Sequence, residues 1–402
     1  MLAFIKTSLH NKLNCTNTTT NNVEVLCYNT VSEVDTDAWL HVAPDNNMAL
    51  QLPYLTALEH TLPTGLQPLY IIVKQNNKAI FILYAQMYSV ETAHLNTLYK
   101  GRSPSNIINA FKKTAAETLY CMLNCSKLKV LIIGNILQTG GVTYAGNNDN
   151  NNNLTVVINA LKQHLQYDAI IVKDVENGMG KYIKMGTAKA TYFYTQPNMV
   201  MHLPSNWHTF NDYLSALDAK YKKRYNNTYN KNNELVIRQL TNVDIATHTD
   251  SLLALYKNVY DKSTTKVGNI QANYFAIMQN ALAPNYIING YFLNNELVAF
   301  SSYFINNNTI IANYVGFNYS LNKSHKLYQT ILYNYIKIAI ENKCTSINYG
   351  RTGLEIKSTV GAVPKQLGCY FYTSNKVLKA ITLPFLKNID QEKLELRHPF
   401  KM

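Results

Sequence analysis

The sequence predicts an α/β (α+β) protein of two similar halves, each a mixed, mostly antiparallel sheet flanked by helices. Three observations predict it. An apolar hairpin pattern occurs twice, at Leu69–Met87 and Tyr286–Phe304, each time around a turn containing Asn-Asn. Each half reads helix, hairpin, helix and then a short, fully apolar run of the kind that sits in the middle of a sheet. The turn residues Pro204-Ser205-Asn206 separate the two series. The hairpins share little sequence, so the tandem reading rests on element order.

Residues 1–22 end in a polar Asn/Thr tract without periodicity, which predicts a flexible N-terminal extension. The first half, 23–203, opens with a strand at Val23–Tyr28 and helices at Asp35–Leu40 and Gln51–His60, where Leu52, Leu55 and Leu58 recur at helical spacing. After the hairpin, Ser103-Pro104 marks the start of a long helix to Leu123, a cap residue followed by a first-turn proline. Leu128–Ile133 is a buried strand, 146–153 an Asn/Asp-rich loop, Leu154–Gln166 a helix and Asp168–Lys173 a strand. Thr191–Leu203 reads as one extended strand leading to the break.

The second half, 204–375, has helices at His208–Leu217 and Leu252–Tyr260, the hairpin, and a third strand at Thr309–Phe317. A helix from Ser324 to Glu341 carries Leu327, Ile331, Leu332, Tyr335, Ile336 and Ala339 on one stripe, and Cys344–Tyr349 is a strand. Residues 376–402 form a C-terminal tail, in which Lys376–Lys387 mixes apolar residues with lysine. That mixture suits either a helix docked on the domain or one lying on a membrane surface.

Composition limits the function classes. With 402 residues, 47% of them hydrophobic and 15% charged, the chain can bury large cores and is not a disordered protein. Lys and Arg outnumber Asp and Glu by 37 to 24, a net +13, which fits an anionic partner: a phosphorylated cofactor, RNA or an acidic lipid face. The 30 tyrosines accompany an abundance of Asn, Lys and Ile, the bias of an A/T-rich coding sequence. Cys15, Cys27, Cys121, Cys125, Cys344 and Cys369 form no C-x-x-C motif and no zinc-ligand cluster, so neither a metal nor a disulfide framework is expected. No apolar run is long enough to span a bilayer, and no leader pattern opens the chain. The expected location is cytoplasmic, with contact to the inner face of a membrane as an option.

Three stretches carry candidate chemistry. Tyr349-Gly-Arg-Thr-Gly-Leu-Glu-Ile-Lys-Ser-Thr-Val-Gly-Ala-Val-Pro364 follows an apolar strand and gathers Gly350, Gly353 and Gly361 around Arg351, Glu355 and Lys357. Glycines at a strand end allow positive φ and close approach of a ligand, while Arg and Lys supply a planar fork and a point charge for phosphate or carboxylate. The competing reading is a plain loop with solvated charges. The second stretch is the basic run Lys220, Lys222, Lys223, Arg224, interleaved with Tyr213, Tyr221, Tyr225 and Tyr229. It is either a solvated helix face or a surface for RNA or anionic headgroups. The third is the junction Asn318–Lys326 before the long helix.

The 349–364 segment resembles the C-terminal signature of the FemAB-like branch of the GNAT acyltransferase superfamily. Asn47–Glu59, Ile132–Gly140 and Pro197–Pro204 with Phe210–Arg224 resemble further pieces of that branch in the same order, so that the resemblance spans roughly residues 25–375. It implies two tandem GNAT-like domains, the second holding the reacting centre, and an N-acyltransferase that moves an acyl group from a thioester, acyl-CoA or an acyl carrier, to an amine. The amine is a small molecule, a lipid or a cell-envelope component. The alternatives are an aminoacyl-tRNA-dependent transferase acting on peptidoglycan precursors and a non-catalytic recognition module.

In GNAT enzymes the junction before the long helix receives the cofactor's pyrophosphate, which points to Lys323, Ser324 and Lys326 here, although the usual glycine-rich turn is missing. Direct attack by an amine needs a base and an oxyanion site. His325 and Glu355 are candidate bases, Tyr349 a candidate proton donor, Arg351 and Lys357 candidate ligand-binding groups, and backbone amides along Ile311–Val315 candidate oxyanion donors. Replacing Arg351 or Lys357 with Ala is expected to impair binding or turnover at nearly unchanged Tm.

Overall fold

The structure is a computed structural model that describes residues 23–91, 127–146, 150–176, 184–185, 188–231, 234–263, 269–387 and 395–401. The N-terminal extension and the helix expected at Ser103–Leu123, with Cys121 and Cys125, lie outside the described residues.

In the first half, β1 (Val23–Tyr28), α1 (Thr36–Val42) and α2 (Leu52–Glu59) lead to β2 (Leu66–Gln75), β3 (Lys78–Glu91), β4 (Lys127–Ile133), β5 (Tyr144–Gly146), α3 (Asn150–His164) and β6 (Ala169–Glu176). A small hairpin, β7 (Lys184–Met185) and β8 (Ala188–Lys189), precedes β9 (Thr191–Tyr194). The next series runs β10 (Asn198–His202), α4 (Phe210–Ala216), α5 (Ala219–Asn230), β11 (Leu235–Gln239), α6 (Asn242–Thr247), α7 (Thr249–Lys262) and α8 (Tyr274–Leu282). It continues through β12 (Tyr286–Leu293), β13 (Glu296–Asn306), β14 (Thr309–Phe317), α9 (Tyr319–His325), α10 (Leu327–Glu341), β15 (Ser346–Asn348), α11 (Leu354–Ser358), β16 (Val363–Lys365), β17 (Leu367–Tyr372) and α12 (Lys376–Lys387).

Both predicted hairpins form, and for the same reason. Asn76 and Asn77 in one, Asn294 and Asn295 in the other, have φ between 50 and 65°. Two consecutive positive-φ residues make the two-residue turn whose twist matches the strands, and Asn tolerates that conformation. The two sheets then repeat one plan. In the first, β1, β2, β3 and β4 are antiparallel neighbours and β6 joins β4 in parallel; in the second, β11 to β14 are antiparallel and β15 joins β14 in parallel. The parallel steps need crossovers, which α3 and α10 supply.

The halves also exchange strands across the expected 203/204 break. The expected single strand 191–203 divides, with β9 on the edge of the first sheet and β10 inside the second, against β15 and β16. Reciprocally, β16 is on the edge of the second sheet while β17 enters the first between β6 and β9. The two crossing connectors are tied together: the Thr195 N–H donates to Leu367 O at 3.1 Å, and Gln366 Nε2 to Thr195 O at 2.8 Å. An apolar run specifies burial but not which of two sheets buries it, so the pattern alone could not place β10 and β17.

Local departures have equally local causes. Of the loop expected over 146–153, Gly146 ends β5 and 150–153 open α3, which Leu154, Val157, Ile158 and Leu161 draw into the first core. The long helix expected from Ser324 is broken at Lys326, whose φ of 51° and ψ of 38° separate α9 from α10. In α12, Leu378, Leu383 and Leu386 pack with Leu128 and Phe371, so that the helix docks on the first sheet by its apolar side. Among the described residues no helix is long and apolar enough to cross a membrane.

One core joins the halves: Trp39, Tyr54 and Tyr70 belong to the same buried cluster as Tyr274, Tyr286 and Phe304. At its edge β14 runs against α7 so closely that a Cβ on Gly316 would lie 2.3 Å from the Phe300 ring and 2.6 Å from the Leu255 backbone. Because backbone cannot step aside as a flexible side chain does, Gly316→Ala is expected to cost roughly 1–3 kcal/mol, read as a lower midpoint in denaturant unfolding.

Candidate functional site at the seam of the two sheets

The glycine segment builds its own frame. Gly350, Thr352 and Gly353 have φ of 69, 67 and 57°, three positive-φ positions around Arg351 that turn the chain away from β15 and into α11. Lys357, one turn into α11, folds back beneath this loop. Its Nζ donates to the carbonyls of Tyr349 (2.8 Å), Gly350 (3.2 Å) and Arg351 (2.7 Å), and the residue is 4% exposed. Lys357 therefore faces its own backbone. Burial pushes its pKa down to about 7.

That shift has a testable sign. The unfolded chain holds the Lys357 proton up to the ordinary value of 10.5, the folded chain only to about 7. Between these values the unfolded state binds more protons, so this residue's contribution makes stability rise with pH. Thermal melts from about pH 7 to about pH 9 are expected to show wild type gaining on Lys357→Ala.

Arg351 points the other way, toward the first sheet. Its guanidinium Nη2 bonds Asp174, which also takes the Lys173 ammonium and, at 2.9 Å, the Gly140 N–H. Asp174 is 3% exposed and has φ of 59°, and Lys173 Nζ also donates to Gln138 O at 2.7 Å. Burial alone would raise the Asp174 carboxyl; the two cations and the Gly140 amide outweigh it and hold the group below the usual carboxylate range. For Lys173 burial dominates, and the ammonium is pushed down against the pull of Asp174. The expected strand ended at Lys173, so the sequence reading missed Asp174. No local pattern marks it: Gly140, in the motif at 132–140, meets the carboxylate that Arg351 reaches only once the chain is folded.

The other sequence candidates are placed as follows. The Tyr349 hydroxyl donates to Leu332 O at 3.3 Å inside the second core, and burial pushes its pKa well up. Glu355 is exposed and paired with Arg397. His325 bonds the Ser324 hydroxyl at 2.8 Å through Nδ1, at the end of α9. Along Ile311–Val315, the Tyr314 amide is taken by Ser302 Oγ at 3.0 Å.

A second feature was anticipated in two separate pieces. Lys220, Lys223 and Arg224 of α5 and Lys326, the residue that breaks the long helix, line one pocket of about 370 Å³, together with Asn227, Thr228 and Gln329. No acidic residue lines it. The basic run and the helix junction are thus one place, since α5 packs beside the first turn of α10. Lys222 is exposed outside that lining, as are Lys323 and Ser324. On the same helix Tyr225 and Tyr229 stack with centroids 6.0 Å apart, and Tyr229 is 62% exposed. The first turn of α10 also reaches the seam: a Cβ on Gly353 would lie 3.2 Å from the Tyr328 hydroxyl. A larger cleft, about 520 Å³, opens at the far ends of β4 and β6 beside Lys127, Lys129 and Lys162, and holds none of the candidate residues. Among the described residues no group of His, Cys, Asp and Glu is arranged to hold a metal.

Two sheets of one plan, each with a parallel step next to an antiparallel hairpin, define a tandem GNAT-like fold. Residues 143–401 match the FemAB-like family, described as peptidoglycan biosynthesis/recognition, and the chain belongs to that family. Its fold is similar to the crystal structure of FemX, at 12% identity and TM-score 0.50, covering 88% of this chain and 98% of that one. A conserved protein of unknown function from Bacteroides thetaiotaomicron is similar at 12% identity and TM-score 0.49, over 86% of this chain and 98% of that one. A tandem GNAT protein from the clavulanic acid biosynthesis pathway gives 7% and 0.46, over 88% and 99%. No curated protein matches the chain.

Proposed function

We propose that this member of a transferase family moves an acyl group from a phosphate-bearing donor to an amine, and that the donor's phosphates lie in the pocket formed by Lys220, Lys223, Arg224 and Lys326. The single observation that carries the reading is the convergence of four cations on one pocket with no acidic residue in its lining. Such a pocket concentrates anions and is costly to keep unless an anion offsets its self-repulsion. The adjoining helix α10, 15 residues long, adds the positive end of its dipole.

The leading donor is a thioester of the acyl-CoA kind. Its phosphates would meet the lysines, and the first turn of α10, with Tyr328 on Gly353, would lead toward the seam. There the amine attacks the carbonyl directly, its proton passing to solvent or to a base and the thiolate leaving. An aminoacyl-tRNA donor is favoured by one specific observation, the exposed Tyr229 ring stacked on the half-buried Tyr225 beside the cations, which leaves one ring on which a base can lie.

Purified protein, offered acyl-CoAs of increasing chain length and separately total aminoacyl-tRNA with mixed amines, tests the reading. Amine-dependent release of thiol, or of deacylated tRNA, supports transfer and names the donor. Binding of a donor without any release supports the recognition module instead.

A further inference from the structure

The larger cleft, of about 520 Å³, has no part in the transfer reading, and its volume is that of a small-molecule site. Asp168, which lines it, precedes Asp174 of the seam by six residues, about 20 Å at the rise of a strand. The cleft is therefore a separate place. Lys127, Lys129 and Lys162 line it with Asp168, so three cations less one carboxylate leave a net charge of +2. The acid is committed to the backbone: Asp168 Oδ2 takes the Lys129 N–H at 2.8 Å, while Thr373 Oγ1 donates to Asp168 O at 2.6 Å. Lys129 and Lys162 form no ion pair among the described residues.

The fold accounts for only one of these lysines. Lys162, in the last turn of α3, complements the negative end of that helix. Lys127 and Lys129 belong to β4, an interior strand between β3 and β6, so they are not charges that guard a sheet edge. Two residues apart, they share one face of the strand, and both are exposed. Further along, Leu131 and Ile133 on that face pack with Leu154, Val157 and Leu161 of α3, so the lysines stand where the helix no longer covers the sheet. Leu165, Tyr167 and Tyr372 add an apolar and aromatic wall to the same cleft.

We propose that this cleft binds an organic phosphate monoester, the lysines taking the phosphate and the wall its carbon skeleton. A phosphate monoester carries about −1.5 to −2 charges near pH 7, which matches the lining, and the lysine ammonium is a point-charge partner for it. A singly charged carboxylate or phosphate diester would leave half of the excess charge uncompensated. This chemistry has two sources, a soluble ester and the headgroup of a lipid. The exposed Lys376 and Lys379 of α12, which begins two residues after Ser374 in the lining, extend the basic surface toward the second.

The test uses the full chain carrying Lys223→Glu and Arg224→Glu, so that the other basic pocket is reversed. Phenyl phosphate is expected to bind this protein saturably, and phenyl sulfate, with a single charge, at least ten-fold more weakly. Adding Lys129→Glu and Lys162→Glu is expected to weaken phenyl phosphate at least ten-fold with Tm nearly unchanged, because both side chains are exposed. If that protein does not fold, Lys129→Gln with Lys162→Gln takes its place. Sedimentation with phosphatidylcholine vesicles containing phosphatidic acid separates the sources: vesicle binding that the lysine substitutions abolish identifies a lipid, and phenyl phosphate binding without vesicle binding identifies a soluble ester. Equal binding of phosphate and sulfate overturns the inference. So does unaltered affinity after the lysine substitutions, or the absence of saturation up to about 50 mM.

Discussion

The double charge reversal Lys223→Glu with Arg224→Glu is expected to weaken donor binding by at least about 100-fold while leaving the thermal midpoint close to that of wild type. Both side chains line the pocket from the surface of α5, Lys223 exposed and Arg224 half-buried, and neither forms an ion pair among the described residues. Their removal therefore takes little from the fold. A hydrogen bond to a charged group is worth about 1.5–3 kcal/mol, so losing two and adding two repulsive charges amounts to several kcal/mol of binding. Lys222→Glu, on the same helix but outside the lining, is the control: its effect should be small and should fade with salt. Equilibrium binding at two salt concentrations, with thermal melts of each variant, checks both halves of the expectation.

The second large effect concerns stability, and it reverses what the sequence suggested. Lys357→Ala is expected to destabilise the protein by roughly 2–4 kcal/mol, seen as a fall of several degrees in Tm. Lys357 Nζ is the common partner of three consecutive carbonyls, and the substitution takes it from all three in a buried site. It also removes the pin that holds the turn Gly350–Gly353, on which the position of Arg351 depends. Loss of activity in Lys357→Ala is therefore expected together with loss of stability, whereas the pocket variants separate the two.

Much of this was legible in the chain because it is local chemistry. Asn-Asn between apolar strands specified both hairpins, since two adjacent residues must accept positive φ. Arg351 and Lys357 stood out because glycines surrounded them. What the sequence withheld are relations between distant residues. Periodicity cannot say that β17 completes the first sheet, nor that Asp174, an ordinary residue at the end of an apolar run, is the partner of Arg351. Lys357 shows the same limit from the other side. Its residue type and spacing suit a ligand-binding group, and only its surroundings commit it to the backbone. The basic run and the helix junction were each visible as separate features, and their union depends on α5 packing against the start of α10.

The proposed site for a phosphate-bearing acyl donor is the pocket of Lys220, Lys223, Arg224 and Lys326. It is tested most directly by measuring donor affinity, for acyl-CoA and for aminoacyl-tRNA, in wild type and in the Lys223→Glu/Arg224→Glu protein. One of these donors is expected to bind wild type in a salt-dependent manner, and the folded variant to lose it. A donor that binds both proteins equally, with amine-dependent transfer intact, would contradict it.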